Sequence, residues 1–285
     1  MPAILLALLI AYFLPMSQTL YAADRPGAMS IQDLEYAQAE GVSLKLDASL
    51  PAGEGLAPAA IVVHGGAWVG GDRKRNVEPL LLPLANAGFA WFSISYRLAS
   101  DPLQMGAAVS DVEAAVRFVK SHAEEYRIDP ERIFLVGESA GGHLAAMAAL
   151  GNSPGTGVRG VVALYAPTDL AGLAKTSTLI PEGIRKQLNG TPWERLLLAR
   201  LTQLSPIGLV RAGVPPFLLI HGDDDLLVPI AQSVEMCRKM TSVGAKCSLV
   251  TVPNVGHGIR RWEAAAGTAE SYKREMIAWM RGQSE

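Results

Sequence analysis

The serine of a Gly-Glu-Ser-Ala-Gly motif at residues 137–141 is the side chain of this chain best placed to act as a nucleophile. The motif lies between a strand-like run at 132–136 and a helix-forming run at 143–150. G-x-S-x-G in this setting is typical of a nucleophile elbow, a strained turn that lifts the serine hydroxyl clear of a sheet. The glycines at 137 and 141 support this interpretation, because side chains at those positions would clash with nearby backbone. We therefore predict that Ser139 attacks a carbonyl carbon.

A general base and an acid are expected after such a serine, the acid first and the histidine second. A strand-like run at 217–220 ends in a stretch that holds three aspartates at 223–225. Asp225 is favoured because the motif H-G-x-x-D-x-x-V-P places its acid there. His257 follows the strand-like run 247–252 on a glycine-flanked loop, where an imidazole can lie between the serine and the acid. We predict that Asp225 and His257 complete a catalytic triad.

The stretch His64-Gly-Gly-Ala-Trp68 has the composition of an oxyanion-binding loop. It follows the apolar run 59–63, and its glycines allow the backbone to curl so that N–H groups face a substrate. We predict donors from Gly65 or Gly66, joined by the N–H group of Ala140 after the serine.

Trp68, at the end of this stretch, has two interpretations that the sequence leaves open. An aromatic face suits an acyl or aryl group, so the indole would form a wall of the substrate pocket. Alternatively, the side chain packs against a cap segment or the core.

These motifs together resemble the α/β-hydrolase superfamily, and within it the small esterases that carry an H-G-G-x-W oxyanion motif. The chain is similar to the carboxylesterase, acetyl-xylan and feruloyl esterase-like branch, which is related to the hormone-sensitive-lipase type. It differs from that type at Ala67–Trp68, where a third glycine is usual. Further likeness lies in Ser93–Leu98, Asp111–Val119 and Asp129–Ile133, and it extends from about residue 40 to 280.

The resemblance implies an α/β fold with a mostly parallel central sheet and helices on both faces. Alternating strand-like and helical stretches indicate the same architecture. We expect a single α/β-hydrolase domain at 24–285. A small cap at about 170–205 follows the sixth strand and is expected to shape the acyl or alcohol pocket.

Composition limits the class of partner. The chain has 285 residues, 49% of them hydrophobic, with 25 Lys plus Arg against 27 Asp plus Glu. The charges nearly balance, and the sequence has no basic stripe that would indicate nucleic-acid binding. The spacing of its Cys and His residues predicts neither a metal nor an organic cofactor. The expected partner is a small-molecule ester, and the oligomeric state is left open.

The amino terminus differs in kind from the rest. Residues 3–14 are continuously apolar, which is too short for a stable membrane span, and small residues follow near Ala22 and Ala23. We predict a signal peptide at 1–23 and an exported protein, periplasmic or extracellular.

The sequence leaves two alternatives open for the two cysteines. Cys237 and Cys247 either form a disulfide or remain free thiols.

The function expected from the sequence is that of a serine carboxylesterase acting on short-chain or aryl carboxylic esters through an acyl-enzyme. The same triad hydrolyses amides, and the oxyanion motif also resembles arylformamidases acting on N-formylkynurenine. A non-catalytic α/β-hydrolase relative used as a binding module is a third interpretation, although such proteins usually lack a triad member.

Overall fold

The computed structural model of the chain describes residues 28–53, 55–176, 189–265 and 267–284. At its centre is one eight-stranded sheet with the strand order β1-β2-β4-β3-β5-β6-β7-β8. The strands are β1 (Met29–Ala39), β2 (Val42–Leu50), β3 (Ala57–Val63), β4 (Ala90–Ile94), β5 (Ile128–Glu138), β6 (Gly160–Leu164), β7 (Phe217–Gly222) and β8 (Cys247–Val252). The pairs β1–β2 and β2–β4 are antiparallel, and the other neighbours are parallel.

Helices follow most of the strands. They are α1 (Glu78–Asn86), α2 (Gly106–Ser121), α3 (Ala140–Leu150), α4 (Leu170–Thr176), α5 (Pro192–Gln203), α6 (Ala231–Ser242), α7 (Ile259–Ala264) and α8 (Thr268–Ser284), with short 3₁₀ helices at Pro102–Gln104 and Pro206–Leu209.

The helices cover both faces of the sheet, as successive side chains of the strands show. Ile61 and its neighbour Val62 point to opposite faces, and each belongs to a different apolar cluster. The cluster of Ile61 includes residues of α2, α3 and α6, whereas that of Val62 includes residues of α1, α7 and α8. Burial on both faces explains why the central strands are almost continuously apolar in the sequence. The predicted α/β architecture, a mostly parallel sheet with helices on both faces, is confirmed.

The parallel strands β3, β5, β7 and β8 point the same way, so their carboxyl ends meet at one edge of the sheet. The loops that leave this edge contain all of the side chains for which chemistry was predicted. The topology therefore brings together residues that are almost 200 positions apart in the chain, from Gly65 to His257.

The connection from β6 to β7 contains the predicted cap. Its two ends are joined at the base, because the Leu170 N–H group donates to Ser205 Oγ at 2.9 Å and the Ile207 N–H group donates to the Thr168 carbonyl at 3.0 Å. Helix α5 lies within the predicted cap. Residues 177–188 of the predicted cap lie outside the described residues, and the cap as a unit stays a prediction.

Cys237 of α6 and Cys247 of β8 form a disulfide, with their Cα atoms 5.2 Å apart. The structure thus decides between the two alternatives that the sequence left open. The bond attaches α6 to the last strand of the sheet.

The predicted signal peptide at 1–23 lies outside the described residues and stays a prediction. Of the helices in the described part of the chain, none has both the length and the apolar character of a membrane-crossing segment.

Candidate active site

Ser139 occupies the strained turn that the sequence predicted between β5 and α3. Its backbone has φ 51° and ψ −120°, a conformation that L-residues rarely adopt. A Cβ atom on Gly137 would collide with the Gly141 carbonyl, and one on Gly141 would collide with the Val63 carbonyl of β3. The turn is therefore possible only with glycine at both positions, and it sets the start of α3 directly against the end of β3.

The serine hydroxyl, an imidazole and a carboxylate form one hydrogen-bonded line. Ser139 Oγ lies 2.8 Å from His257 Nε2, and His257 Nδ1 lies 2.7 Å from Asp225 Oδ2. A carboxylate can only accept, so Nδ1 carries the proton and Nε2 is left to accept the proton of the serine. The structure thus brings together the three residues predicted as a triad, although their catalytic role stays a prediction.

The Asp225 carboxylate is buried and held from two sides. Its Oδ1 accepts the N–H groups of Leu227 and Val228, each at 2.9 Å, so Oδ2 is left for the histidine. Burial alone would raise the pKa of Asp225, but hydrogen bonds from His221, His257 and the backbone outweigh it and hold the pKa well below the usual range. The Asp225 carboxylate is therefore ionised and can accept the Nδ1–H group of His257.

Asp223 and Asp224, the competing acids, are exposed. The Asp223 carboxylate accepts the N–H group of Asn254 at 2.7 Å, which fixes the loop before His257. Among the described residues, Asp225 is the acid that hydrogen-bonds the imidazole of His257, as the prediction requires.

His221, four residues before Asp225, supports the acid and was not predicted to do so. Its ring is buried, with Nε2 donating to the Val228 carbonyl at 2.7 Å and Nδ1 lying 2.7 Å from Ser233 Oγ. Nε2 is also 3.5 Å from Asp225 Oδ2. The ring therefore fixes the turn that presents Asp225. Its place in the same H-G-x-x-D motif was the signal available in the sequence.

The oxyanion loop corrects one prediction. The Gly65 N–H group donates to Glu138 Oε1 at 2.5 Å, so it is not available to a substrate. Gly66 follows with φ 122°, and its carbonyl accepts the N–H groups of Val69 and Gly70 in a tight turn. Among the described residues, the N–H groups of Gly66 and Ala140 have no protein acceptor. Gly65 was thus wrong as a donor, and Gly66 and Ala140 stay the predicted pair.

Trp68 packs against the elbow helix and the base of the cap. Its Nε1–H group donates to His143 Nδ1 at 3.1 Å, and His143 Nε2–H donates to the Leu204 carbonyl at 2.7 Å. The indole also contacts an apolar cluster that includes Met105 and Leu170. Burial lowers the pKa of His143 to about 4, so the ring is neutral as these bonds require. The packing interpretation of Trp68 is therefore confirmed, and contact with a substrate stays a prediction.

Tyr165, at the end of β6, was not singled out from the sequence. Its ring meets His257 edge-on with centroids 4.8 Å apart, and its hydroxyl accepts the Ile259 N–H group at 2.8 Å. The hydroxyl also hydrogen-bonds Glu138, the residue before the serine. A tyrosine that ends a core strand resembles any core aromatic in sequence, so no local signal distinguished it.

The chemistry that this arrangement supports is nucleophilic attack assisted by a general base, with backbone donors for an oxyanion. Among the described residues, no group of three or more His, Cys, Asp or Glu side chains is arranged to hold a metal ion.

Comparison with known proteins agrees with the fold and with the reaction class of an esterase. The family model BD-FAE matches residues 46–240. The chain is 33% identical over 194 residues, or 63% of its length, to the probable carboxylic ester hydrolase LipM of Mycobacterium tuberculosis, of which it covers 44%. It spans about half the length of the curated relatives that it matches.

Two solved structures are similar over nearly the whole chain. A truncated carbohydrate esterase from gut microbiota has a TM-score of 0.71 at 28% identity, covering 90% of this chain and 96% of that one. A thermophilic esterase of the planctomycete Thermogutta terrifontis has a TM-score of 0.72 at 26% identity, covering 89% and 91%. The latter has also been solved with propionate bound. Because the family model spans more than half of the chain, the protein belongs to the BD-FAE family, and its fold is that of an α/β-hydrolase.

Proposed function

We propose that this protein is a serine carboxylesterase that hydrolyses short-chain or aryl carboxylic esters through an acyl-enzyme formed on Ser139. The observation that carries the proposal is the hydrogen-bonded line from Asp225 through His257 to Ser139, with distances of 2.7 and 2.8 Å. The strained backbone of Ser139 holds the hydroxyl at the end of that line. The names of the relatives, which are esterases and carboxylic ester hydrolases, support the same reaction class.

Acylation begins when His257 Nε2 accepts the hydroxyl proton of Ser139 as Oγ attacks the ester carbonyl carbon. The imidazolium that forms is stabilised by the Asp225 carboxylate, which also fixes the tautomer. The carbonyl oxygen gains the negative charge, and the N–H groups of Gly66 and Ala140 donate to it. When the tetrahedral intermediate collapses, the imidazolium gives its proton to the departing alkoxide, and the alcohol leaves.

Deacylation repeats these steps with water as the nucleophile. His257 takes a proton from water, the resulting hydroxide attacks the acyl carbon, and the same two donors hold the oxyanion. The imidazolium then returns its proton to Ser139 Oγ, so the carboxylic acid leaves and the enzyme is regenerated.

The preference for short or aryl acyl groups rests on the surroundings of the oxyanion loop. Trp68 of that loop packs against an apolar cluster of Met105, Leu170 and Leu204. A packed apolar wall limits chain length while favouring a small acyl or flat aromatic group. The propionate complex of the Thermogutta terrifontis esterase supports a short acyl group by analogy.

We also propose that the protein is exported and that residues 1–23 are removed. The apolar run at 3–14 supports this, and a Cys237–Cys247 disulfide persists best in an oxidising compartment. Expression in a bacterium followed by fractionation and N-terminal sequencing tests it. A full-length protein recovered from the cytosol would contradict the proposal.

The reaction is tested with a hydrolysis panel on the purified protein. The panel holds p-nitrophenyl esters of graded acyl length, acetylated xylan, methyl ferulate and N-formylkynurenine. Ser139→Ala removes the nucleophile, so kcat on the esters should fall by at least about 10⁴-fold. Ser110→Ala, at an exposed serine of α2, is the matched control and should keep full activity.

Two outcomes would overturn the proposal. Turnover of N-formylkynurenine alone would make the protein an arylformamidase, the alternative that none of the relatives described above supports. Equal ester turnover by the wild type and Ser139→Ala would remove the serine from the reaction.

A further inference from the structure

Glu138 is a buried carboxylate beside the nucleophile that the triad does not use. Its side chain belongs to a residue only 6% exposed, at the carboxyl end of β5. A carboxylate placed in a protein interior is costly unless donors surround it. The groups that surround this one therefore indicate what it does.

Three hydrogen bonds connect Glu138 to both sides of the site. Its Oε1 accepts the Gly65 N–H group at 2.5 Å, and the Tyr165 hydroxyl also donates to it. The same hydroxyl accepts the Ile259 N–H group at 2.8 Å, two residues after His257. One carboxylate thus links the oxyanion loop after β3 to the loop that carries the histidine.

The contact at Gly65 decides how the oxyanion loop is oriented. A Cβ atom on Gly65 would collide with the Glu138 carboxyl group, so the loop lies directly on the carboxylate. With the Gly65 N–H group fixed toward Glu138, the next peptide must turn, and Gly66 makes that turn at φ 122°. The Gly66 N–H group is then the first in the loop that is free to face a substrate.

We propose that Glu138 is a positioning residue that holds the oxyanion loop through Gly65 and the histidine loop through Tyr165. The inference rests on the proposed esterase function. Glu138 does not touch the reacting atoms; it acts through the Gly66 donor and through His257.

The charge of Glu138 adds an electrostatic contribution. The titratable groups that face it are Tyr96, Tyr165 and His257. Burial raises the pKa of Glu138, which the Gly65 and Tyr165 hydrogen bonds and the charge of His257 oppose. A negative charge here favours the imidazolium that forms in each half of the reaction.

The test compares Glu138→Ala, Glu138→Gln and Tyr165→Phe on p-nitrophenyl acetate. Oxyanion donors act mainly in the transition state, so Glu138→Ala should lower kcat by about 10- to 100-fold and change KM by less than about threefold. An amide oxygen can still accept the Gly65 N–H group, so Glu138→Gln should lose only about 3- to 10-fold. Tyr165→Phe, which keeps the ring against His257, should lose a similar factor because the Ile259 N–H group loses its acceptor.

Two further readouts separate positioning from general damage. Glu138→Gln should move the acid limb of the kcat/KM profile to lower pH, because the imidazolium loses a favourable charge. Glu124→Gln, at an exposed glutamate after α2, is the matched control and should leave rate and profile unchanged. Amide hydrogen exchange across residues 64–68 should be about tenfold faster in Glu138→Ala than in the wild type.

Unchanged kcat in Glu138→Ala and Glu138→Gln would overturn the inference. A second result would also overturn it: the kcat of Glu138→Ala falls only in proportion to the folded fraction measured by thermal unfolding, and Glu138→Gln keeps the wild-type rate and acid limb. Wild-type protein inactive on every ester would instead defeat the proposed function. The exchange of residues 64–68 still decides the positioning role in that case, and equal exchange in Glu138→Ala and wild type would overturn it.

Discussion

At the scale of single residues, the two oxygens of Asp225 have different tasks. Oδ1 is occupied by the N–H groups of Leu227 and Val228, which fix the carboxylate in one rotamer. Oδ2 is thereby aimed at His257 Nδ1 and determines which ring nitrogen carries the proton. This division of tasks makes the acid sensitive to a change of a single atom.

Asp225→Asn should lower kcat by about 10³- to 10⁴-fold, because the amide can point an N–H group at His257 Nδ1 and favour the wrong tautomer. Folding should survive, since the amide oxygen can still accept the two backbone N–H groups. Steady-state hydrolysis of p-nitrophenyl acetate and a thermal unfolding curve measure the two effects. Asp224→Asn, at the exposed neighbour, is the control, and an equal loss in both variants would contradict the assignment.

At the scale of elements, the site depends on contacts between neighbouring loops more than on any one motif. The Trp68 indole bonds to His143 of α3, and that ring in turn bonds to the Leu204 carbonyl at the end of α5. The oxyanion loop, the elbow helix and the cap base therefore form one packed unit. A change in any of them should alter the space offered to an acyl group.

Trp68→Ala should shift the preferred p-nitrophenyl ester toward longer acyl chains, because it removes a large aromatic side chain from the apolar cluster beside the site. The measurement is kcat/KM across acetate, butyrate, hexanoate and octanoate. Trp193→Ala removes an indole that is 73% exposed on α5 and should leave the profile as it is. A profile that is identical in wild type and Trp68→Ala would exclude Trp68 from the pocket.

The Cys237–Cys247 disulfide is a second contact between elements. It joins a helix to a strand and links two residues ten positions apart in the sequence. Replacing both cysteines by serine should lower the free energy of unfolding by about 2 to 3 kcal/mol, since the unfolded chain regains the freedom of that loop. Urea unfolding monitored by tryptophan fluorescence measures the change.

Dithiothreitol added to the wild type should reproduce the same loss of stability, and ester turnover of the folded protein should persist in both cases. Unfolding midpoints that are insensitive to reduction would show that the bond does not contribute.

At the scale of the whole molecule, two buried neutral histidines make stability depend on pH. Burial lowers the pKa of His64 to about 4 and that of His143 to about 4, from an ordinary value of 6.5. Below pH 6.5 the unfolded chain binds protons that the folded chain does not. Each ring therefore lowers the free energy of unfolding by about 1.4 kcal/mol per pH unit as the pH falls to about 4.

His143→Gln should reduce this dependence by one histidine's share, about 1.4 kcal/mol per pH unit between pH 6 and 4.5. Glutamine can keep both hydrogen bonds of the ring, accepting from Trp68 and donating to Leu204. The other titrating groups are the same in both proteins, so the difference in slope isolates His143. Urea unfolding at several pH values gives the slopes, and equal slopes would refute the prediction.

The sequence by itself determined the chemistry-bearing motifs and the class of fold. The elbow around Ser139 could be recognised locally, because its glycines are required by close contacts with backbone atoms a few residues away or on the adjacent strand. Asp225 and His257 were identified by their order along the chain and by the strand-like runs before them. The central strands were visible because burial on both faces leaves them apolar at every position.

Only the tertiary structure decided the partners of groups that meet from distant positions. The sequence offered Gly65 and Gly66 equally as donors, and it was the carboxylate of Glu138, 73 residues away, that occupied the first of them. Tyr165 had no distinguishing local pattern, because its hydrogen bonds to Glu138 and to the Ile259 N–H group depend on which strands and loops meet at the sheet edge. The hydrogen-bond partner of a backbone N–H group is the acceptor that the fold brings within reach. No single segment of the sequence specifies that partner.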